Sequence, residues 1–323
     1  MPVRSTDLAS LARQRFVPHP WEKQVSSSPA ESVHRPVLLD EVVSGLKPAP
    51  GMTLVDGTAG AGGHTAALAK LVQPGGRVIG LDRDTDMIEF ARGATQGLPV
   101  EIVHAPYSDL GEVLQERGIQ AVDGVLLDLG LSSDQLAWEH RGFSFAREGP
   151  LDMRFDREQE TSAADLVNSL SADELADIFY HLGEERFSRR VARRIVESRK
   201  AEGPITTTGR LAALVRSSIP GKWGPIDPST RVFQALRIAV NQELEHLDET
   251  LKRLPEWLKP GGRAAIISFH SLEDRRVKQA FRNDPRWTVI TKKPVTASPD
   301  EVAQNPRARS AKLRVAERCP TTP

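Results

Sequence analysis

Thr53-Leu54-Val55-Asp56-Gly57-Thr58-Ala59-Gly60-Ala61-Gly62-Gly63-His64 is the stretch that decides the fold. An apolar run of strand length, 53–57, meets a glycine-rich loop, and Ala/Leu spacing of helical period follows to about residue 72. The turn Pro74-Gly75-Gly76 leads to a second apolar strand at 78–82, which ends in Asp82, and to a helix from about 84. Further strands are expected at 101–105 and 124–129, with a helix near 109–117 between them. Short apolar strands spaced by helices predict a parallel sheet covered on both faces.

That rhythm stops after Gly130. Only helical signals follow, at 163–170, 172–181 and 184–200, and the Pro/Gly-rich segment 219–228 closes this part. One long helix is then predicted, carrying Phe233, Leu236, Val240, Leu244 and Leu247 on a helical stripe. Lys259-Pro260-Gly261-Gly262 turns into the apolar strand 263–269, followed by a helix at 272–282 and strands near 288–291 and 311–315. The expected division is a mobile extension over 1–32 with a short helix at 8–15, a discontinuous α/β domain over 33–132 and 229–323, and an inserted helical domain over 133–228. No internal repeat is visible.

At 323 residues with 39% hydrophobic side chains, the chain can bury a sizeable core and suits about two domains. No apolar run reaches membrane-spanning length, and the start lacks the apolar region of a secretory signal. A single cysteine, Cys319, excludes an internal disulfide and any Cys-rich metal site, in keeping with the cytoplasm. The 43 basic residues balance 43 acidic ones, yet the balance is uneven. From Arg275 onward there are 12 basic and 4 acidic residues; 132–182 holds 11 acidic and 4 basic, and 183–222 holds 10 basic and 4 acidic. Segregation of this kind either builds a positive face for a polyanion or decorates solvated helices.

The loop 56–64 lets a ligand approach backbone N–H groups at a helix start, and Asp82 is placed to accept from a ribose diol. The spacing is not G-x-G-x-x-G, and an acid, Asp56, ends the first strand. Three readings stay open on these residues: S-adenosyl-L-methionine, whose cationic sulfonium suits Asp56, a nicotinamide or flavin dinucleotide, or an unliganded turn. Tyr107 either stacks near an adenine or packs ordinarily. Asp128, inside the apolar run Leu126-Leu127-Asp128-Leu129-Gly130, is costly to bury unless it is paired or used.

These residues belong to a longer pattern. His34-Arg35-Pro36-Val37-Leu38-Leu39-Asp40-Glu41, Gly62-Gly63-His64, Asp82-Arg83-Asp84 and Asp128-Leu129-Gly130-Leu131-Ser132-Ser133 occur in order. They are followed by Arg141-Gly142-Phe143-Ser144-Phe145, Gly149-Pro150-Leu151-Asp152-Met153-Arg154, Gly183-Glu184-Glu185-Arg186, Phe233-Gln234-Ala235-Leu236-Arg237-Ile238, Val240-Asn241, Ser268-Phe269-His270-Ser271-Leu272-Glu273-Asp274-Arg275 and Ser310-Ala311-Lys312-Leu313-Arg314. In this the chain resembles the bacterial 16S ribosomal RNA (cytosine-N4)-methyltransferase family, RsmH or MraW. The resemblance implies a class I (Rossmann-like) S-adenosylmethionine-dependent methyltransferase with an inserted helical subdomain, acting on N4 of cytidine 1402 in 16S rRNA. It implies cofactor contacts at Gly62, Gly63, His64, Asp82, Tyr107, Asp128 and Gln135, to which Asp56 and Gly60 are added from the loop reading. Three positions depart from the family: Tyr107 replaces Phe, Ala137 replaces Asp beside Gln135-Leu136, and Phe155 replaces Met.

The cytosine amine is a poor nucleophile because its lone pair is delocalised into the ring. An acceptor pulling on an N4 hydrogen helps as the new bond forms, and much of the rate comes from alignment. Asp128 is the first candidate, with Ser132, Ser133, Asp152, Asn241 and His270 behind it; Asp152 and Arg154 otherwise form a structural pair. No metal is expected. Phe143 and Phe145 either stack on RNA bases or pin the insert. Arg154, Arg189, Arg190, Arg193, Arg275, Arg276, Lys278, Arg309, Lys312 and Arg314 are the candidate phosphate contacts. The expected partner is 16S rRNA, within an assembled small subunit, with neither DNA nor membrane; monomer and homodimer stay open. The rival readings are a non-enzymatic RNA-binding assembly factor on the same fold, or methylation of another nucleotide or a protein.

Overall fold

Side chains along the central strands alternate between two separate cores, which is why those strands read as unbroken apolar runs. The computed structural model describes residues 36–221, 223–224 and 226–320; the expected extension, its helix and His34-Arg35 lie outside them. After α1 (Leu39–Leu46) come β1 (Thr53–Asp56), α2 (Gly63–Leu71), β2 (Arg77–Asp82), α3 (Thr85–Ala94), β3 (Val100–His104), α4 (Leu110–Glu116) and β4 (Val122–Asp128). A run of helices follows: α5 (Ser133–Ala137), α6 (Ala163–Ser169), α7 (Ala172–His181), α8 (Ser188–Glu202), α9 (Thr208–Ser218), α10 (Ser229–Asn241) and α11 (Glu243–Trp257). The chain returns through β5 (Leu258–Ser268), α12 (Ser271–Asn283), β6 (Trp287–Val289), α13 (Pro299–Gln304) and β7 (Lys312–Arg318).

The sheet order is β3-β2-β1-β4-β5-β7-β6. The first five strands are parallel, and β7 runs antiparallel to both its neighbours. Leu54, Val78, Leu126, Ala265 and Ile267 face one core, with α1 and α2; Val55, Ile79, Val125, Leu127 and Ile266 face the other, with α4, α11 and α12. This is the expected α/β architecture, a largely parallel sheet covered on both faces. A third core is mostly helical and includes Phe179, Val191, Ile195, Leu211 and Val215, with Phe143, Leu151, Met153 and Ile205 added from loops.

Four helices escape the sequence reading, α1, α5, α9 and α13. The signal for α9 is present: Thr207 accepts the Arg210 N–H, and Leu211, Leu214, Val215 and Ser218 are buried at helical spacing. The single long helix expected after residue 228 is two. Gln242 adopts φ 49°, separating α10 from α11. Phe233, Leu236 and Val240 therefore enter the helical core, whereas Leu247 packs under the sheet. The turn at 259–262 lies inside β5, where pairing with β4 jumps from Val122↔Leu258 to Gly124↔Arg263.

Candidate active site

The parallel strands β1, β2 and β4 each end in an aspartate, at the sheet edge where open α/β sheets bind ligands. The three carboxylates have different fates. Asp56 is fully buried; it accepts from the Thr65 hydroxyl at 2.7 Å and the Thr58 N–H at 3.2 Å. It does not line the cleft, so it is not placed to face a sulfonium there; it braces the loop from behind. Burial raises its pKa.

Asp82 does line the cleft. Its Oδ2 accepts from the Gly60 N–H at 2.7 Å and its Oδ1 from the Asp84 N–H at 2.9 Å, leaving further lone pairs for a ligand. Burial pushes it up to about 6. Gly62 serves the loop differently. At φ +86° it starts α2, and a Cβ there would come within 2.9 Å of Ala91 Cα, so it brings α2 and α3 together and stays off the cleft wall.

Asp128 is the third. Its N–H donates to Thr58 Oγ1 at 2.6 Å, and Oδ2 lies 3.5 Å from His64 Nδ1. Oδ1 is buried and has no hydrogen-bond partner among the described residues. Burial pushes this carboxyl up to about 6, against the opposing pull of His64 and Arg307.

Asp82 and Asp128 help wall a cleft of about 920 Å³, open mouth included. Of the other candidate site residues, Gly60, Gly63, His64, Tyr107, Ser132 and Gln135 also line it. The Tyr107 hydroxyl donates to the Glu243 carbonyl at 3.3 Å. Ser132 and Gln135 form a capping box on α5, and Gln135 Nε2 reaches Asp84 Oδ2 at 2.7 Å. Ser133 instead accepts from Arg307 Nη1 at 3.1 Å. Ala137 is exposed at the end of α5 and off the cleft wall. Sequence reasoning missed Arg83, Met87, Phe155, Glu243 and Glu273 on the wall, and Arg307 behind Asp128.

Glu243 and Glu273 head a buried charge cluster. Arg237 grips Glu243 with two N–H groups at 2.8 and 3.0 Å. His270 Nε2 lies 3.1 Å from Glu273 Oε1, at an angle that makes no hydrogen bond. Burial pushes Glu273 up, but His270 and Arg237 outweigh it and hold the carboxyl below the ordinary range. The spacing of Glu243, His270 and Glu273 would suit a cation, but the Arg237 guanidinium already supplies that charge. His270 thus belongs to this cluster and is not on the cleft wall.

Asn241 and Asp152 also stay off the wall. Asn241, fully buried, accepts the Phe155 N–H at 2.8 Å and donates to the Met153 carbonyl at 2.7 Å, holding the strap that carries Phe155 into the cleft. Asp152 pairs with Arg154 through two bonds of 2.8 Å. Phe143 is buried against Phe155, and Phe145 packs edge-on against Phe233, so both rings are committed to packing.

The cationic candidates divide sharply. Arg275 sits on Glu184, Arg276 on Asp248, and both Lys312 and Arg314 on Asp274. Arg314 is itself buried. Lys278 and Arg309 are exposed. Arg189, Arg190 and Arg193 stand exposed along α8 with no carboxylate within ion-pair distance among the described residues, and Arg190, Arg193 and Arg194 border a groove closed by Ser217 and Ser218.

The family model described as the MraW methylase family matches residues 31–319. A protein of Cyanothece sp. named ribosomal RNA small subunit methyltransferase H is 51% identical over 290 residues, covering 89% of this chain and 95% of its own. A protein of the same name from Magnetococcus marinus is 48% identical over 309 residues, covering 88% and 98%. The chain belongs to the MraW methylase family.

Proposed function

We propose that this chain transfers a methyl group from S-adenosyl-L-methionine to N4 of cytidine 1402 in 16S rRNA, acting in the cytoplasm on an assembled small subunit. The observation that carries the reading is Asp128 Oδ1, a buried acceptor without a partner among the described residues, on the wall of a cleft built at the strand ends. The names of the relatives support the RNA substrate. The residues present fit the cofactor: Asp82 keeps lone pairs for ribose hydroxyls, Tyr107 offers an aromatic wall, and Gly60 and Gly63 leave backbone exposed to the cleft. When bound, the cofactor supplies an electrophilic methyl group on a cationic sulfur.

The protein's own contribution is alignment and an acceptor. Asp128 takes a hydrogen bond from the amine, raising electron density on N4 as it attacks. The chemistry needs no metal. The helical part reads the RNA and extends from residue 133 through Asn241, because α10 shares its core. Its α8 arginines hold phosphate while the cleft takes the unstacked base. The test is to label unmodified small subunits with a methyl-labelled cofactor and map the nucleotide: label at any other position or on protein refutes the substrate. Asp128→Asn, assayed separately for cofactor affinity and turnover, refutes the acceptor role if turnover stays full.

A further inference from the structure

On the cleft wall two acceptors face one another. His64 Nε2 lies 3.0 Å from the Val37 carbonyl oxygen, which only accepts, so Nε2 carries a hydrogen. In the neutral ring Nδ1 is then bare, and it faces Asp128 Oδ2 at 3.5 Å. The ring is 5% exposed and held by the Val37 contact, so it does not turn away. Two lone pairs pressed together inside a protein repel unless a proton lies between them. The other carboxylate oxygen, Oδ1, is the buried acceptor that no described residue satisfies.

We propose that His64 and Asp128 work as one proton-handling pair: a proton held between Nδ1 and Oδ2 leaves Oδ1 to receive the hydrogen lost by the substrate amine. The role rests on the amine methylation proposed above. As the nitrogen–methyl bond forms, the methyl–sulfur bond breaks with its electron pair left on sulfur, and the positive charge passes to the amine nitrogen. The N–H bond then breaks, its electrons return to nitrogen, and the proton goes to Oδ1 while the held proton settles on Nδ1. The pair ends as a carboxylic acid beside an imidazolium and gives its extra proton to water once product leaves. Charged groups face the pair from other elements. Asp56 at the end of β1 and Glu273 on α12 favour its proton, and Arg307, in the segment before β7, opposes it.

The advantage over a lone carboxylate is at acid pH. Asp128, at about 6 even with His64 pulling it down, takes a proton there more readily still without that partner and stops accepting; the pair with one proton still has Oδ1 open. His64→Gln keeps a donor for Val37 and removes Nδ1. Because His64 also lines the cofactor cleft, turnover is measured at saturating S-adenosyl-L-methionine, and the expected result on unmodified subunits is a loss of roughly 10-fold at pH 8 and roughly 100-fold at pH 6. An equal loss at both pH values means a merely structural histidine and overturns the proposal. Should the variant bind too poorly to saturate, ¹⁵N spectra of histidine-labelled wild-type and Asp128→Asn protein at pH 6 decide instead. A protonated Nδ1 in wild type that becomes bare in Asp128→Asn supports the pair; a bare Nδ1 in wild type overturns it. Mapping the nucleotide labelled by wild type keeps the two questions apart, since a wrong substrate moves the label without changing the pH-dependent ratio.

Discussion

Arg141 is among the largest fully buried side chains of the protein, and its removal is a measurable test of how the helical part is fastened to the sheet. Its guanidinium meets Asp84 through bonds of 2.7 and 3.1 Å, with the two residues 2% and 1% exposed. Nη2 also donates to the carbonyls of Arg154 and Phe155 at 3.0 Å each, on the strap that lines the cleft. Arg141→Met keeps the volume but strands a buried carboxylate and both carbonyls, a loss of about 3–5 kcal/mol. The further contact with Asp86, whose side chain is 39% exposed, adds about 0–1 kcal/mol. For a domain of this size that lowers Tm by roughly 6–20 °C. Urea denaturation followed by tryptophan fluorescence reads the loss. Asp84→Asn combined with Arg141→Met removes the stranded charge, so the double variant should recover at least about 1 kcal/mol over the single one. A single-variant loss below about 1 kcal/mol, or no recovery in the double, would refute the clamp.

Three other outcomes follow from the geometry. Asn241→Ala frees the Phe155 N–H and the Met153 carbonyl, costing about 2–4 kcal/mol in a denaturation titration and weakening cofactor affinity through the displaced strap. Asp82, raised to about 6, takes up a proton more readily folded than unfolded, so its contribution to apo stability grows as pH falls from about 6 toward 4, while a ligand hydroxyl loses its acceptor in the same window. Calorimetry should therefore show affinity weakening below pH 6, and Asp82→Asn, whose NH2 must face one of the two backbone N–H groups of Gly60 and Asp84, should impair binding at pH 8 as well. Replacing Arg189, Arg190 and Arg193 together by Gln should lower the salt dependence of RNA binding by about 0.7–0.9 for each phosphate no longer neutralised, with stability nearly unchanged. Arg314→Gln, by contrast, should leave the salt slope alone and cost about 1–3 kcal/mol, because its guanidinium is buried on Asp274 at 2.7 Å.

The central strands and the loop at 56–64 are legible in the sequence because burial on two faces and a tight backbone turn each demand particular residue types. Asp82 and Asp128 are legible as cleft residues because they end strands, whereas His64 and Gln135 rest on the family resemblance alone. Asp56 reads identically to Asp82 and Asp128 at that level. What turns it inward is Thr65, nine residues on and one turn into α2, whose hydroxyl reaches the carboxylate only once the loop has closed. Phe155, Glu243 and Glu273 reach the cleft, and Arg307 acts on Asp128, from segments far along the chain, so no local pattern announces them.

Charge shows the same limit from the other side. The basic excess after Arg275 reads as a polyanion-binding tail, yet much of it is spent on carboxylates outside that segment, among them Glu184, Asp248 and Asp274. Counting within a segment cannot see a partner beyond it. The α8 arginines escape that fate for a local reason that is visible in the sequence. Val191 and Ile195 bury one face of the helix, which turns Arg189, Arg190, Arg193 and Arg194 to solvent. A stripe set by helical period survives folding as a field, whereas a surplus without a period is neutralised wherever the fold supplies an acid.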